Sequence, residues 1–449
     1  MHDKLLKGLI TGILFYLLIS VSFAEFLDGF ANIKLDIYYI STTYRLSLLL
    51  FSMMLIIYFP LEYGKYIIFI ILFIATHTII RLITFEISSE AIFTDLQYTT
   101  RSILMIVGIV MFLCCIEVER VNELFRKFFP VQWIFITCAV LANIVFDFGE
   151  VYKTRIPTVL REGFHSFFQS GNQIAIIYSV SWWVLAMRFK SLMVRSMLTV
   201  ISVAILLAMG SKAGAAIIVG MVGLATYKKI YDYSKGTFAF TCIISLVIGG
   251  YILLNFEETV SVIANLFLNY SGESSQLQKK VRMLGAFSGM VSQRDVFVAD
   301  ALDIISKYDL RQIIFGANFY AYSKAMGTYI TKGPINTAEV DPIDLLGGFG
   351  ILGLLLAYVP LFITAILLFK RQKYADEAAK KLHNDNLPAT LYGIFIIMLI
   401  FSCLTGHVFL CPLSMACLGL AYGITYHLIS TKPLRSNRIL RKHENPLYQ

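Results

Sequence analysis

The fold this sequence predicts is an all-α protein that crosses a membrane about twelve times, and three observations predict it. Apolar residues make up 57% of the 449-residue chain, against about 45–50% in ordinary globular domains, and mean hydropathy is +0.72. Those residues fall in long blocks, many near the ~20 residues a helix needs to cross a bilayer. Charged residues are only 15% of the chain; they gather between the blocks, and Lys and Arg favour one side.

Taken in order, the candidate spans are 9–26, 46–60, 66–84, 102–117, 131–148, 173–188, 194–209, 213–227, 237–255, 348–369, 388–404 and 408–428. The first apolar block, Leu9–Ala24, follows "MHDKLLK" and shows no small-residue cleavage site, so it reads as a retained first helix. The organisation expected is nine spans within 1–255 with an outer loop at 147–171, a large outer loop at 256–347, three spans within 348–428, and a basic tail at 429–449. In the large loop, "RDVFVADALDIISKY" repeats Phe297, Ala301, Ile304 and Tyr308 at helix spacing.

Placing the N-terminus inside puts 22 Lys and Arg on the inner side and 15 on the outer, eight of these in the long loop. Long loops count little toward orientation, so both termini are expected in the cytoplasm. The net charge of +9 then reads as contact with anionic lipid headgroups rather than with nucleic acid. All seven cysteines lie in apolar segments, which suggests neither a disulfide framework nor a metal site.

Three clusters on the outer side could carry chemistry. "RIPTVLREGFHSFFQSGNQIA" holds Arg161 and His165, which share a face if this stretch is helical; an anion-binding loop and a solvated loop are both open for Arg161, and His165 lacks a partner. "MGSKAGAA" sets Ser211 and Lys212 in a tight turn at a helix start, suited to phosphate; a lysine snorkelling to the interface is the alternative, and Gly210, Ser211 and Gly214, which make the turn tight, favour the first reading. The large loop supplies Arg282 and Arg294, which suit a pyrophosphate or acidic sugar, and then "AEVDPIDLLGGFGILG" with Glu339, Asp341 and Asp344. "DPID" reads as Asp341 at the N-cap, Pro342 at N1 and Asp344 at N3 of the helix that becomes the next span. Glu339 precedes that cap and has no such role, so it is the leading candidate for a general base. Gly347, Gly348 and Gly350 would let loop and span pack closely. No zinc or calcium spacing and no nucleotide or nucleophile-elbow motif occurs in a plausible setting, so no metal or cofactor is expected.

The order of three stretches resembles the O-antigen polymerase and O-antigen ligase superfamily of bacterial envelope polysaccharide assembly: "REGFHSFFQSGNQIA", "AMGSKAGAAIIVG", and "SQRDVFVADALDII" followed by "IIFGANF" and "EVDPIDLLGGFGILGLL". The resemblance covers roughly 160–365. Ligases of that family usually carry a His-Asn pair where this chain has "EVDPID", and the acidic version looks more like the polymerase branch. The resemblance implies a glycosyltransferase C-like membrane domain in the bacterial inner membrane. It implies metal-independent, inverting transfer from an undecaprenyl-pyrophosphate-linked glycan donor to a like acceptor, with a chain-length regulator protein as partner. It places Arg161, Lys212 and Arg294 on the pyrophosphate, and Glu339 or Asp341 on the acceptor hydroxyl. An O-antigen ligase is the alternative. A twelve-helix transporter or lipid-glycan flippase is another, though such carriers place ionisable groups near mid-membrane in paired halves.

Overall fold

The computed structural model describes residues 2–37, 40–58, 72, 74–81, 83, 88–99, 105–114, 116–151, 164–168, 171–233, 294–330 and 337–430. The candidate span 237–255, the first part of 66–84, much of the large loop and the tail 431–449 lie outside them. The described chain is helical apart from one small antiparallel pair. Its elements are α1 (His2–Ile19), α2 (Val21–Leu35), α3 (Ile40–Tyr58), α4 (Ser89–Thr99), α5 (Met105–Cys114), α6 (Val118–Phe146), β1 (Glu150–Val151), β2 (Phe164–Ser166), α7 (Gly171–Arg188), α8 (Leu192–Ala208), α9 (Lys212–Tyr233), α10 (Arg294–Ser306), α11 (Leu310–Phe315), α12 (Phe319–Ile330), α13 (Asp341–Lys370), α14 (Gln372–Lys381), α15 (Leu387–Leu404) and α16 (Pro412–Ser430).

Among the described residues four helices, α6, α13, α15 and α16, are long and apolar enough to cross a membrane, and α1 with α2 makes a fifth if the bent pair is one span. The expected span 9–26 is therefore not one straight helix. It breaks at Ser20 and turns by 60°.

The burial pattern is that of a membrane-embedded bundle. Helix α7 is apolar on every side and nearly all of it is buried, from Ile174 to Ala186, as expected of a helix surrounded by others. Helix α16 is buried in the same way. The two form the centre. Around them, α13 exposes Ile351, Leu355, Val359, Phe362, Ile363 and Ile366 in one stripe, and α8 exposes Leu192, Met193, Met197 and Val200. A water-soluble monomer rarely exposes continuous apolar faces of that kind. In lipid such faces are solvated by acyl chains, and helix association rests on close packing and interhelical hydrogen bonds. Trp183 provides one: its indole N–H donates to the Thr390 carbonyl of α15 at 3.0 Å.

Helix α13 is not continuous. Gly350 has φ 67° and ψ −170°, which interrupts the helix between 341–349 and 351–370. Only glycine adopts such a conformation at low cost, and here a Cβ would also lie 2.4 Å from the Gly316 nitrogen and the Ile314 carbonyl oxygen. The glycines thus make a break as well as a close contact. Across the break, Asp341 accepts the Phe409 N–H and the Tyr358 ring lies 4.7 Å from that of Phe409, whereas a straight helix would hold residues 341 and 358 about 25 Å apart.

A helix break leaves carbonyls that need donors, and three segments supply them. The Gly347 carbonyl accepts from the Ala317 N–H at 3.1 Å and from the Tyr308 hydroxyl at 3.3 Å. The Gly348 carbonyl accepts from Arg81 Nη1 at 3.2 Å. Arg81 is 0% exposed. It pairs with buried Asp95 of α4 at 2.9 Å and lies 4.3 Å from the Phe349 ring centre, while Asp95 also accepts the Phe319 N–H that opens α12 at 3.0 Å. One buried ion pair therefore ties the helical segment 74–81, α4, α12 and the broken helix together.

Candidate active site

The residues at the start of α13 hold two buried carboxylates and one accessible one. The helix N-cap is Val340, with no side-chain cap bond, so Asp341 occupies the first helical turn. This corrects the expected placement of Asp341 as N-cap and Asp344 as its box partner. The carboxylate of Asp341 is turned instead toward the turn between α15 and α16. It accepts the backbone N–H groups of His407 and Val408 at 2.7 Å each and of Phe409 at 3.1 Å. Asp344 accepts the Ala338 N–H at 2.7 Å and the Tyr322 hydroxyl at 2.9 Å. Buried carboxylates must be bonded in this way, because a lone buried charge is costly. Burial first, and the neighbouring Asp344 second, push the Tyr322 phenol well above its ordinary range. Burial alone does the same for Tyr308. Both phenols therefore stay protonated and act as donors.

Glu339 stands apart. Its backbone is left-handed, φ 57°, in a region that costs a non-glycine residue about 1–3 kcal/mol and is often found at functional sites. Its carboxylate pairs with Arg294, the first residue of α10, at 2.9 Å from Oε2 to Nη2, with side chains 30% and 12% exposed respectively. The structure thus brings together two residues that are 45 positions apart. Behind Glu339 lies Gly406, where a Cβ would come within 2.5 Å of the Glu339 carbonyl group. The turn at 405–411 is therefore seated directly on the acidic loop.

The other predicted residues fall elsewhere. Ser211 is buried and its hydroxyl accepts the Gly214 N–H at 3.3 Å, capping α9. Lys212 is the first residue of α9 and His165 the middle residue of β2. The start of α7 packs near this turn, where a Cβ on Gly171 would lie 3.7 Å from the Met209 carbonyl oxygen. Arg161 and Arg282 lie outside the described residues.

Three residues in or beside this region carry no motif in the sequence. They are His407, Arg81 and Asp95. Arg81 alone had a signal, since an ionisable group inside an apolar span is rarely without a role.

No protein-family model matches this sequence, and no curated protein does. What the arrangement offers chemically is an accessible carboxylate beside a guanidinium, at the mouth of a broken apolar helix.

Proposed function

We propose that this chain is a polymerase of lipid-pyrophosphate-linked oligosaccharide repeat units, of O-antigen or capsule type, on the outer face of a bacterial inner membrane. The observation that supports this reading best is the meeting of Arg294 and Glu339, because the reaction needs a cation and a carboxylate at one place. The transfer is inverting and needs no metal. The acceptor hydroxyl attacks the anomeric carbon of the donor glycan from the face opposite the pyrophosphate. Glu339 orients that hydroxyl or takes its proton. The bond to the pyrophosphate oxygen breaks, and the lipid pyrophosphate leaves with the electron pair. Fixed cations stabilise the charge that develops there, and Arg294, Lys212, Arg161 and Arg282 are the candidates. In this reading the membrane domain has twelve spans in a glycosyltransferase C-like arrangement, and both termini are cytoplasmic. A separate protein regulates chain length.

The test is deletion of the gene followed by gel analysis of surface glycan. A polymerase leaves single repeats in place of long chains, and neither Glu339→Gln nor Arg294→Ala restores the ladder at normal protein level. Full-length chains stranded on the lipid carrier would identify a ligase instead. Unchanged glycan with a lost transport activity would overturn both readings.

A further inference from the structure

The turn at 405–411 carries a residue whose chemistry suits the same site. Gly406 and His407 both have left-handed backbones, φ 62° and 66°. At Asp36 and Asp147 the same conformation merely ends a helix, where it is ordinary. His407 ends none. It is held there by Asp341, which takes the N–H groups of 407, 408 and 409, and by Ser414, whose hydroxyl donates to the His407 carbonyl at 3.1 Å. Through Gly406 the turn rests against the backbone of Glu339, itself left-handed. Two strained polar residues from distant parts of the chain are thus set side by side.

The imidazole is partly exposed and makes no hydrogen bond among the described residues. The buried Asp341 carboxylate lies within electrostatic range of it. A buried carboxylate next to an imidazole steadies the positive ring that forms when the imidazole takes a proton. Glu339 already engages Arg294 through its carboxylate.

We infer that His407 is a further substrate-contacting residue, whose imidazole binds the acceptor sugar hydroxyl and takes its proton while Asp341 steadies the resulting imidazolium. This rests on the polymerase reading. The hydroxyl oxygen forms its bond to the anomeric carbon, its proton passes to the ring nitrogen, and the lipid pyrophosphate departs with the electron pair of the broken bond. Glu339 and Arg294 then orient acceptor and donor. The titratable and charged groups gathered at this turn among the described residues include Asp341, Asp344, Glu339, Arg294, Cys403, Cys411, Tyr358 and Glu25.

The experiment uses full-length protein in membrane vesicles from the deletion strain, supplied with that strain's own lipid-linked repeat units. His407→Gln and His407→Ala should each lower the single-turnover rate at least about a hundredfold. Protein level and thermal unfolding midpoint should stay unchanged, and the dependence of the rate on pH should change shape. His383→Ala, in the turn after α14, should match the wild type. Rates within threefold of wild type for His407→Gln, or a loss of rate with an unaltered pH profile, overturn the inference. If the wild type itself makes no polymer from these units, and the deletion strain keeps its long chains, it is the polymerase reading that fails.

Discussion

The two parts of α13 differ as much as any two regions of this molecule. Residues 351–370 form an ordinary span, with leucine, isoleucine and phenylalanine turned outward in a stripe and no charge before Lys370. Residues 341–350 hold two buried aspartates, a proline and three glycines, and depend on groups from elsewhere for their hydrogen bonds. The first kind of segment is stabilised by its own backbone and by whatever apolar surface adjoins it. The second is stable only as part of an assembly. Single substitutions should therefore have large effects before the break and small ones on the outward stripe after it.

The largest effect is expected from Gly350→Ala. A non-glycine residue at φ 67° is strained, and its Cβ would meet backbone atoms that cannot step aside. Together these should cost about 2–6 kcal/mol, seen as loss of recoverable folded protein in detergent. Recovery equal to wild type would mean that the break does not depend on glycine. Next comes Arg81→Met, which strands Asp95 and the Gly348 carbonyl in a site closed to solvent. Removing one partner of a buried pair costs about 3–5 kcal/mol. Adding Asp95→Leu should return part of that stability, and a double variant no better than the single one would count against the pair as the cause.

Tyr322→Phe is a smaller change, about 1 kcal/mol, because Asp344 keeps the Ala338 N–H. It also has a pH signature. The folded phenol is raised, so its contribution is complete below the unfolded value near ~10 and is lost as pH rises beyond it. Thermal midpoints should therefore fall less steeply at alkaline pH in Tyr322→Phe than in wild type. Smallest of all is Leu355→Ala on the outward stripe, where less than about 0.5 kcal/mol is expected. A large loss there would show that another protein surface covers the stripe.

The same contrast explains what could be read from the chain. The regular part was legible, because apolar blocks reveal themselves by length. Glu339 and Arg294 were both singled out as charges in the sequence, but their pairing across 45 positions was not legible there. Nor were the roles of Asp341 and Asp344. "DPID" fits a helix cap by local rules, whereas the partners of these carboxylates lie 66 to 68 positions later, 22 earlier and, for Asp344, also six earlier in the loop before the helix. His407 sits in "TGHVF" with no spacing to mark it; the only trace was a glycine and a histidine in a short loop between two spans. "GGFG" announced close packing but not the break at Gly350, because a left-handed glycine inside a helix leaves no periodic signature. Arg81 could have been flagged by its position alone.

The order of the chain adds a consequence for biogenesis. Among the described residues, the donors to the Gly347 and Gly348 carbonyls are Arg81, Tyr308 and Ala317, and all are synthesised before the glycines themselves. The broken segment thus emerges from the ribosome with its supports already made. The three amides that hold Asp341 come only with residues 407–409. Until they arrive that carboxylate has no backbone partners, so the acidic loop completes its assembly only once residues 407–409 are in place. A chain arrested before residue 405 would carry Glu339 and Arg294 yet lack the turn that seats them.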